Sequence, residues 1–115
     1  MLLICRNEET WTKLSTPERQ EIYEQTRAVA DKLTARGQYV AGHPLEMSSS
    51  ATSVRVRDGK RLVTDGPFAE TREQLGGYMI VDVKGREEAI DIAASIPLAR
   101  TSTIEIRPVR EGAPT

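Results

Sequence analysis

The sequence has little of the residue types on which several protein classes depend. Its 115 residues include one cysteine, one histidine and five aromatic side chains. A lone cysteine excludes an internal disulfide. Because Cys5 lies in an apolar run, we expect a small buried side chain there rather than a nucleophile. One histidine without a neighbouring histidine or cysteine offers too few ligands for a typical metal site, so we expect no metal and no cofactor.

Long apolar runs and an excess of one charge are also missing. No stretch is long enough to span a membrane. The N-terminus has no signal-peptide pattern, so we expect a cytoplasmic protein without a membrane partner. Sixteen basic and seventeen acidic residues leave a net charge of −1. Nucleic-acid binding needs clustered positive charge, so we expect no nucleic-acid partner.

Length and composition are those of one globular domain. With 38% hydrophobic and 29% charged residues, the chain is close to the average for such domains. Its length allows one core but not two. We expect a single domain over residues 1–110, followed by a frayed tail over residues 111–115.

The first part of the chain predicts a strand, a long helix and a second strand. Residues 1–6 form the predicted strand. Ser15 and Glu18 have the spacing of a capping box, and Gly37 suits the end of the helix. The apolar stripe of this helix is predicted at Ile22, Thr26, Val29, Ala30 and Leu33. The second strand is predicted at residues 39–41, and a mobile loop at 46–52.

A β-hairpin is the clearest local signal in the chain. Residues 54–57 alternate between valine and arginine, Asp58-Gly59 suits a two-residue turn, and residues 60–63 are predicted to form the returning strand. The remaining sequence predicts a strand at 78–83, a helix at 87–96 ended by Pro97, and a last strand at 103–107.

Without the hairpin, the element order is βαββαβ. This order predicts an α+β, ferredoxin-like fold with an inserted β-hairpin, in which both helices cover one face of an antiparallel sheet. The strand at 78–83 is apolar on both faces, so the second face should also be covered. We expect a homodimer in which two sheets face each other.

Three segments carry a family resemblance: "VRVRDGKRLV", "VTDGPFAETREQLGGYMIVDV" and "ARTSTIEIRPV". Together with "LLI" and "AGHPL" they resemble the DGPF subgroup of the YCII-related family over nearly the whole chain. The resemblance implies a dimeric α/β barrel, bacterial origin and a functional link to extracytoplasmic-function sigma factors.

The resemblance also bears on chemistry. YCII-like relatives are suspected of acid-base catalysis by a histidine and an aspartate in one cleft, with the histidine on the first helix. This chain has no histidine around Tyr23 to Thr26, so that pair is not transferred to it. An acid-base enzyme without a cofactor and a non-catalytic regulatory or interaction module both remain open, since fold analogy alone does not decide function.

The candidate site combines the DGPF segment with the only histidine. We predict catalytic roles for His43, Asp65 and Glu70. We predict binding of a small molecule by Gly66, Pro67, Phe68, Gly77 and Tyr78. Paired carboxylates can differ in protonation, and histidine exchanges protons near neutral pH.

Structural explanations of the same residues stay open beside this prediction. Asp65-Gly66-Pro67 are residue types that turns require, and Phe68 and Tyr78 could serve in core packing. Gly76-Gly77 could permit a tight entry into the next strand. The basic hairpin residues could form a solvated face or bind an anion. Trp11 could be a lid, an interface anchor or a staple for the helix start.

Overall fold

A computed structural model of the chain describes residues 1–111, so that most of the predicted tail, residues 112–115, lies outside the described part. The helices and strands follow one another in this order: β1 (Leu2–Asn7), α1 (Glu8–Lys13), α2 (Thr16–Ala35), β2 (Tyr39–Pro44), β3 (Thr52–Arg57), β4 (Lys60–Asp65), β5 (Glu73–Val81), α3 (Arg86–Ser95) and β6 (Ile104–Ile106). Short 3₁₀ turns span Ser48–Ser50 and Pro97–Arg100.

Four strands form one antiparallel sheet in the order β2-β5-β1-β6. This order and the βαββαβ sequence of elements confirm the predicted ferredoxin-like α+β fold. Strands β3 and β4 form a separate two-stranded sheet, which is the predicted inserted hairpin. Its turn residues Asp58 and Gly59 have φ of 52° and 72°, as the predicted two-residue turn requires.

Helix α2 has the predicted caps at both ends. The Ser15 hydroxyl accepts a hydrogen bond from the Glu18 amide, and the Glu18 carboxylate accepts one from the Ser15 amide. At the other end Gly37 has a φ of 71°. The Gln38 amide there donates to the Leu33 carbonyl, which completes a left-handed cap.

The core lies between one face of the four-stranded sheet and helices α2 and α3. Alternate residues of β1 and the centre of β5 meet apolar helix residues. The buried cluster consists of Leu2, Ile4, Leu33, Met79, Ile92, Ala93 and Ile96. From the predicted stripe of α2, Leu33 belongs to this core and Val29 and Ala30 pack against it. From the predicted face of α3, Ile92, Ala93 and Ile96 belong to it. Ile22 and Thr26 are half-buried outside the cluster.

Three elements differ clearly from the prediction. Strand β2 runs to Pro44, three residues beyond its predicted end at residue 41. Helix α1 was not predicted, because six residues are too few to show a helical period. Strand β5 begins at Glu73 and ends at Val81, so that its predicted bounds of 78–83 were wrong at both ends. Its polar first residues resemble a loop, but they pair with the end of β1: Glu73 lies opposite Asn7.

The opposite face of the sheet is covered by no helix of the described part. Principal-axis extents of 48 × 45 × 18 Å match a slab of one sheet layer and one helix layer. Half-buried apolar side chains on this open sheet face include Leu3, Tyr78 and Ile80. Among residues 1–111, no helix is both long and apolar enough to cross a membrane.

Candidate functional site

The only histidine of the chain lies on the open sheet face, opposite a tyrosine. His43 in β2 is the register partner of Tyr78 in β5. The centroids of the two rings are 6.0 Å apart, and their planes are inclined by 58°. Residues that are directly opposite in an antiparallel pair project to the same face. Sequence position separates these residues, and strand register brings them together.

Gly77 lies beside this pair, where strands β2 and β5 approach closely. A Cβ atom at position 77 would lie 3.1 Å from the His43 carbonyl oxygen and 3.4 Å from Pro44 Cα. The first of these distances is tighter than normal packing, so glycine is suited to this position. Gly76 and Gly77 lie inside β5 rather than at its entry, next to a bulge opposite Ile4 and Cys5.

The surface around His43 and Tyr78 is apolar. Leu3 lies opposite Tyr78 on β1, and Ala41 lies opposite Ile80. Leu3, Ala41, Tyr78 and Ile80 are half-buried, whereas His43 is exposed. An imidazole, a phenol and apolar side chains thus lie together on this face.

Cys5 lies on the same open face, whereas the sequence predicted a small buried side chain there. It is opposite Leu75 and half-buried, because the strand alternation places Leu2 and Ile4 toward the helices and Cys5 away from them. Partial burial raises the pKa of its thiol, and the nearby carboxylates of Glu73 and Glu105 raise it further. At neutral pH the group is therefore a protonated thiol, which is a weak nucleophile.

The DGPF corner, residues 65–68, borders a groove that is separate from the His43–Tyr78 surface. An open groove of about 530 Å³ is lined by Asn7, Glu8, Glu9, Ser48, Ser49, Gly66, Pro67, Glu70, Thr71, Arg72 and Gln74. Its volume falls in the range of small-molecule sites. One wall is held in place by Glu8, whose carboxylate accepts hydrogen bonds from the Ser48 amide at 2.7 Å and from the Ser48 hydroxyl.

Backbone geometry accounts for Gly66 at this corner. Its φ of 104° lies in the region that favours glycine. Its amide donates to the Ala51 carbonyl at 2.7 Å, and its carbonyl accepts from the Ser53 hydroxyl at 2.8 Å. These contacts tie the end of β4 to the start of β3.

Asp65 and Phe68 of the same segment are exposed, whereas Pro67 is half-buried. Asp65 ends β4 in solvent and does not line the groove. The Phe68 ring is 83% exposed, with the Arg55 guanidinium carbon 5.8 Å from its centroid. Phe68 therefore packs into no part of the core of the described chain.

Most of the predicted site residues fall into two groups within the single chain. His43 and Tyr78 lie together on the open sheet face, with Gly77 next to Tyr78 in the strand but opposite Ile4 on the helix-facing side. Gly66, Pro67 and Glu70 line the groove, and Asp65 and Phe68 belong to neither group. The described residues contain no cluster of three or more histidine, cysteine or acidic side chains that could hold a metal ion.

Sequence reasoning missed a buried arginine near the groove. Arg6 is only 3% exposed, and its Nη2 donates to the Leu45 carbonyl at 3.2 Å. Its guanidinium carbon lies 4.6 Å from the ring centroid of Trp11, which packs edge-on against Tyr23. Trp11 is therefore a buried contact between α1, β1 and α2. The available signal in the sequence was the position of Arg6. It continues the alternation that points Leu2 and Ile4 toward the helices.

Comparison with known proteins gives the family. The model of the YCII-related domain matches residues 1–112. The chain belongs to the YCII-related family. It is also similar to the uncharacterized protein R00369 of Rhizobium meliloti (strain 1021), with 34% identity over 110 residues that cover 93% of this chain and 89% of that relative.

Within this YCII-related domain, the first long helix carries no histidine. The segment of α2 from Tyr23 to Thr26 reads Tyr-Glu-Gln-Thr, and Thr26 there donates its hydroxyl to the Ile22 carbonyl. The imidazole of this domain instead belongs to the sheet.

Proposed function

We propose that this YCII-related protein, of the DGPF type, is a homodimer that binds a small molecule between two facing sheets, with His43 as the group that exchanges a proton with it. The observation that carries this proposal is the His43–Tyr78 pair on a sheet face that no helix of the described part covers. The proposed activity requires no cofactor.

The open sheet face supports the homodimer. Leu3, Tyr78 and Ile80 are apolar or aromatic and only half-buried in the single chain. An antiparallel sheet can leave one face in water, but that face is then usually polar. A second copy related by a two-fold axis would offer the same apolar surface and cover both faces at once.

The ring pair supports proton exchange with a bound molecule. His43 is exposed, so a ligand can reach its imidazole. Imidazole changes protonation near neutral pH and can act as acid or base. Tyr78 lies directly across the strand pair and offers a phenol that can donate a hydrogen bond to the same ligand.

A thermal-shift screen with a panel of small carboxylic acids, phosphates and phenols tests the proposal. A compound that binds the native state raises its apparent stability. We expect His43→Gln and Tyr78→Phe to weaken the shift given by a stabilising compound. Glu70→Gln is the matched control in the groove and should leave that shift unchanged.

The lone histidine allows a second readout. Because the chain has one imidazole, its Hε1 proton gives a single NMR signal whose position follows both protonation and binding. We expect the stabilising compound to move that signal and to change its titration. Compounds that respond to Glu70→Gln but not to His43→Gln would place the binding site in the groove instead and overturn the proposal.

A regulatory module linked to a sigma factor is the second candidate. It is favoured by the projecting hairpin of β3 and β4, which exposes apolar side chains to solvent. Co-purification from the source cell should then recover a sigma factor, and deletion of residues 53–64 should abolish that recovery.

A further inference from the structure

Strand β2 contains one extra residue just before the part that carries the imidazole. Tyr39 lies opposite Val81, whereas Ala41 lies opposite Ile80, which is the very next residue of β5. Val40 therefore has no register partner, and β2 has a β-bulge at this residue. The Val40 side chain is 61% exposed, at the outer edge of the sheet.

This bulge decides which face of the sheet carries His43. Successive side chains of a strand alternate between the two faces, and a shift by one residue reverses all those that follow. Without the extra residue, the register that begins at Tyr39 would place His43 opposite Gly77, on the helix-facing side. With the bulge, His43 lies opposite Tyr78 on the open sheet face. The position of the imidazole thus depends on one extra residue.

Tyr39 bridges the bulge from the helix-facing side of the sheet. Its ring packs against the core, and its hydroxyl donates a hydrogen bond to the Gly42 carbonyl at 3.2 Å. This bond passes over Val40 and Ala41 and joins the residues on either side of the bulge. The pair of Tyr39 and Gly42 is here called the clip.

The clip requires glycine at position 42. A Cβ atom there would lie 2.7 Å from Tyr39 Oη and 2.9 Å from the Tyr78 carbonyl oxygen. Both distances are shorter than van der Waals contact, so a side chain would displace the hydroxyl or push β2 away from β5. Gly42 has no positive φ, and the requirement for glycine is therefore one of space and not of backbone angle.

We propose that Tyr39 and Gly42 are positioning residues, which hold the bulge at Val40 and thereby keep the His43 imidazole beside Tyr78 on the open sheet face. Bulges are common next to functional sites, where they re-aim a side chain. The inference rests on the proposed function, in which His43 exchanges the proton. The clip lies on the helix-facing side and therefore acts through His43 rather than by contact with a ligand.

Nuclear Overhauser contacts between the ring protons of His43 and Tyr78 measure the position of the imidazole without any ligand. The ring centroids are 6.0 Å apart, which brings the ring edges within reach of this measurement. Tyr39→Phe removes the clip hydroxyl and keeps the ring in the core. We expect it to weaken the contacts about twofold or more, because the hydrogen bond across the bulge is lost. Gly42→Ala should abolish them, because its methyl group needs the space of the hydroxyl.

Two control variants separate positioning from general stability. Tyr23→Phe removes a phenol hydroxyl from helix α2, on the other side of the sheet from His43. Gly85→Ala weakens the N-cap of α3 and adds a Cβ atom that meets nothing within 4 Å. Both should keep the His43–Tyr78 contacts at wild-type strength, even where the thermal midpoint falls. Contacts that weaken equally in Gly85→Ala and Tyr39→Phe would show a structural role only and overturn the inference.

The outcomes separate this inference from the proposed function. If Gly42→Ala does not fold, Tyr39→Phe decides alone. Wild-type contacts in Tyr39→Phe, or no contacts in the wild type itself, would show that the clip does not position His43, whatever the thermal-shift screen finds. If the contacts respond as expected but no compound of the screen stabilises the protein, the clip stands and the small-molecule function is wrong.

Discussion

The guanidinium carbon of Arg6 lies 4.6 Å from the ring centroid of Trp11. Arg6 itself is only 3% exposed. No carboxylate within residues 1–111 forms an ion pair with it, and its Nε is buried without a hydrogen-bond partner. Desolvation of a guanidinium is unfavourable unless it is compensated. The stacking on Trp11 and the bond to the Leu45 carbonyl supply that compensation.

Arg6→Met should therefore be tolerated. Methionine keeps most of the packing volume against Trp11 and removes the buried charge, so we expect the free energy of unfolding to fall by less than about 1 kcal/mol. Arg6→Ala leaves a cavity in the same place and should cost about 2–4 kcal/mol. Urea unfolding of both variants measures the difference. Equal losses would show that the charge, and not the packing, is what stabilises this position.

Gly76 and Arg6 should be energetically coupled. A Cβ atom at position 76 would lie 2.9 Å from both Cδ and Nε of Arg6, and these atoms belong to the buried middle of the side chain. We expect Gly76→Ala to cost about 1–3 kcal/mol in the wild type and much less in the Arg6→Ala background. A double-mutant cycle by urea unfolding gives the coupling energy.

Gly85 provides the control for this cycle. A Cβ atom at position 85 would meet nothing within 4 Å, and the residue has an extended backbone with φ of −178°. Gly85 is also the N-cap of α3, where alanine is less favourable than glycine, so Gly85→Ala should cost up to about 1 kcal/mol. This cost should be the same in the wild type and in the Arg6→Ala background. If Gly76→Ala lowers the free energy of unfolding equally in the wild type and in the Arg6→Ala background, then the backbone of the bulge, and not the Arg6 side chain, requires glycine at position 76.

Local signals in the sequence predicted the elements whose causes are local. The capping box of Ser15 and Glu18, the left-handed Gly37 and the Asp58-Gly59 turn each act within a few residues, and all three form as predicted. Helix α1 has a similar signal, because the Asn7 side chain accepts from the Thr10 amide. Six residues offer no period to support that signal.

The candidate site depends on non-local pairing, which the sequence does not contain in readable form. His43 and Tyr78 were both predicted as site residues, but only the register of β2 against β5 makes them neighbours. Likewise, the contact of Arg6 with Gly76 follows from a bulge between Ile4 and Cys5. Bulges and register are set by the whole sheet, so spacing along the chain could not reveal these contacts.

The capping carboxylate of Glu18 should make α2 sensitive to acid. Hydrogen bonds from the amide and hydroxyl of Ser15 lower the pKa of Glu18 from its ordinary value of 4.5. Because the pKa of Glu18 is lower in the native state than in the unfolded state, its carboxylate stabilises the protein at pH values above the unfolded pKa. This stabilisation is lost as the pH falls through the native pKa. We therefore expect wild type to be more stable than Glu18→Gln at pH 7, with the gap narrowing below pH 4.5.

Thermal unfolding across this pH range measures the gap. Glu24→Gln is the matched control, because it removes the same charge from an exposed position of the same helix. The stability difference between Glu24→Gln and the wild type should not become smaller as the pH falls. A gap between wild type and Glu18→Gln that stays constant down to pH 3 would contradict the capping role of the carboxylate.

Cys5 should react slowly with alkylating reagents. Burial raises the pKa of its thiol, and the negative charges of Glu73 and Glu105 raise it further, so that little thiolate is present at pH 8. We expect alkylation by iodoacetamide at pH 8 to be at least tenfold slower than for a free cysteine peptide. Glu73→Gln should speed it severalfold, whereas Glu24→Gln, on the helix layer, should not.

The concentration dependence of this reaction also reports on the open sheet face. Cys5 lies on that face and is half-buried in the single chain. If a second copy covers the face, alkylation should slow further as the protein concentration rises through the dimer dissociation constant. A rate that is independent of concentration while sedimentation shows a dimer would mean that the copies meet through another surface, since a covered thiol cannot keep the same access to reagent.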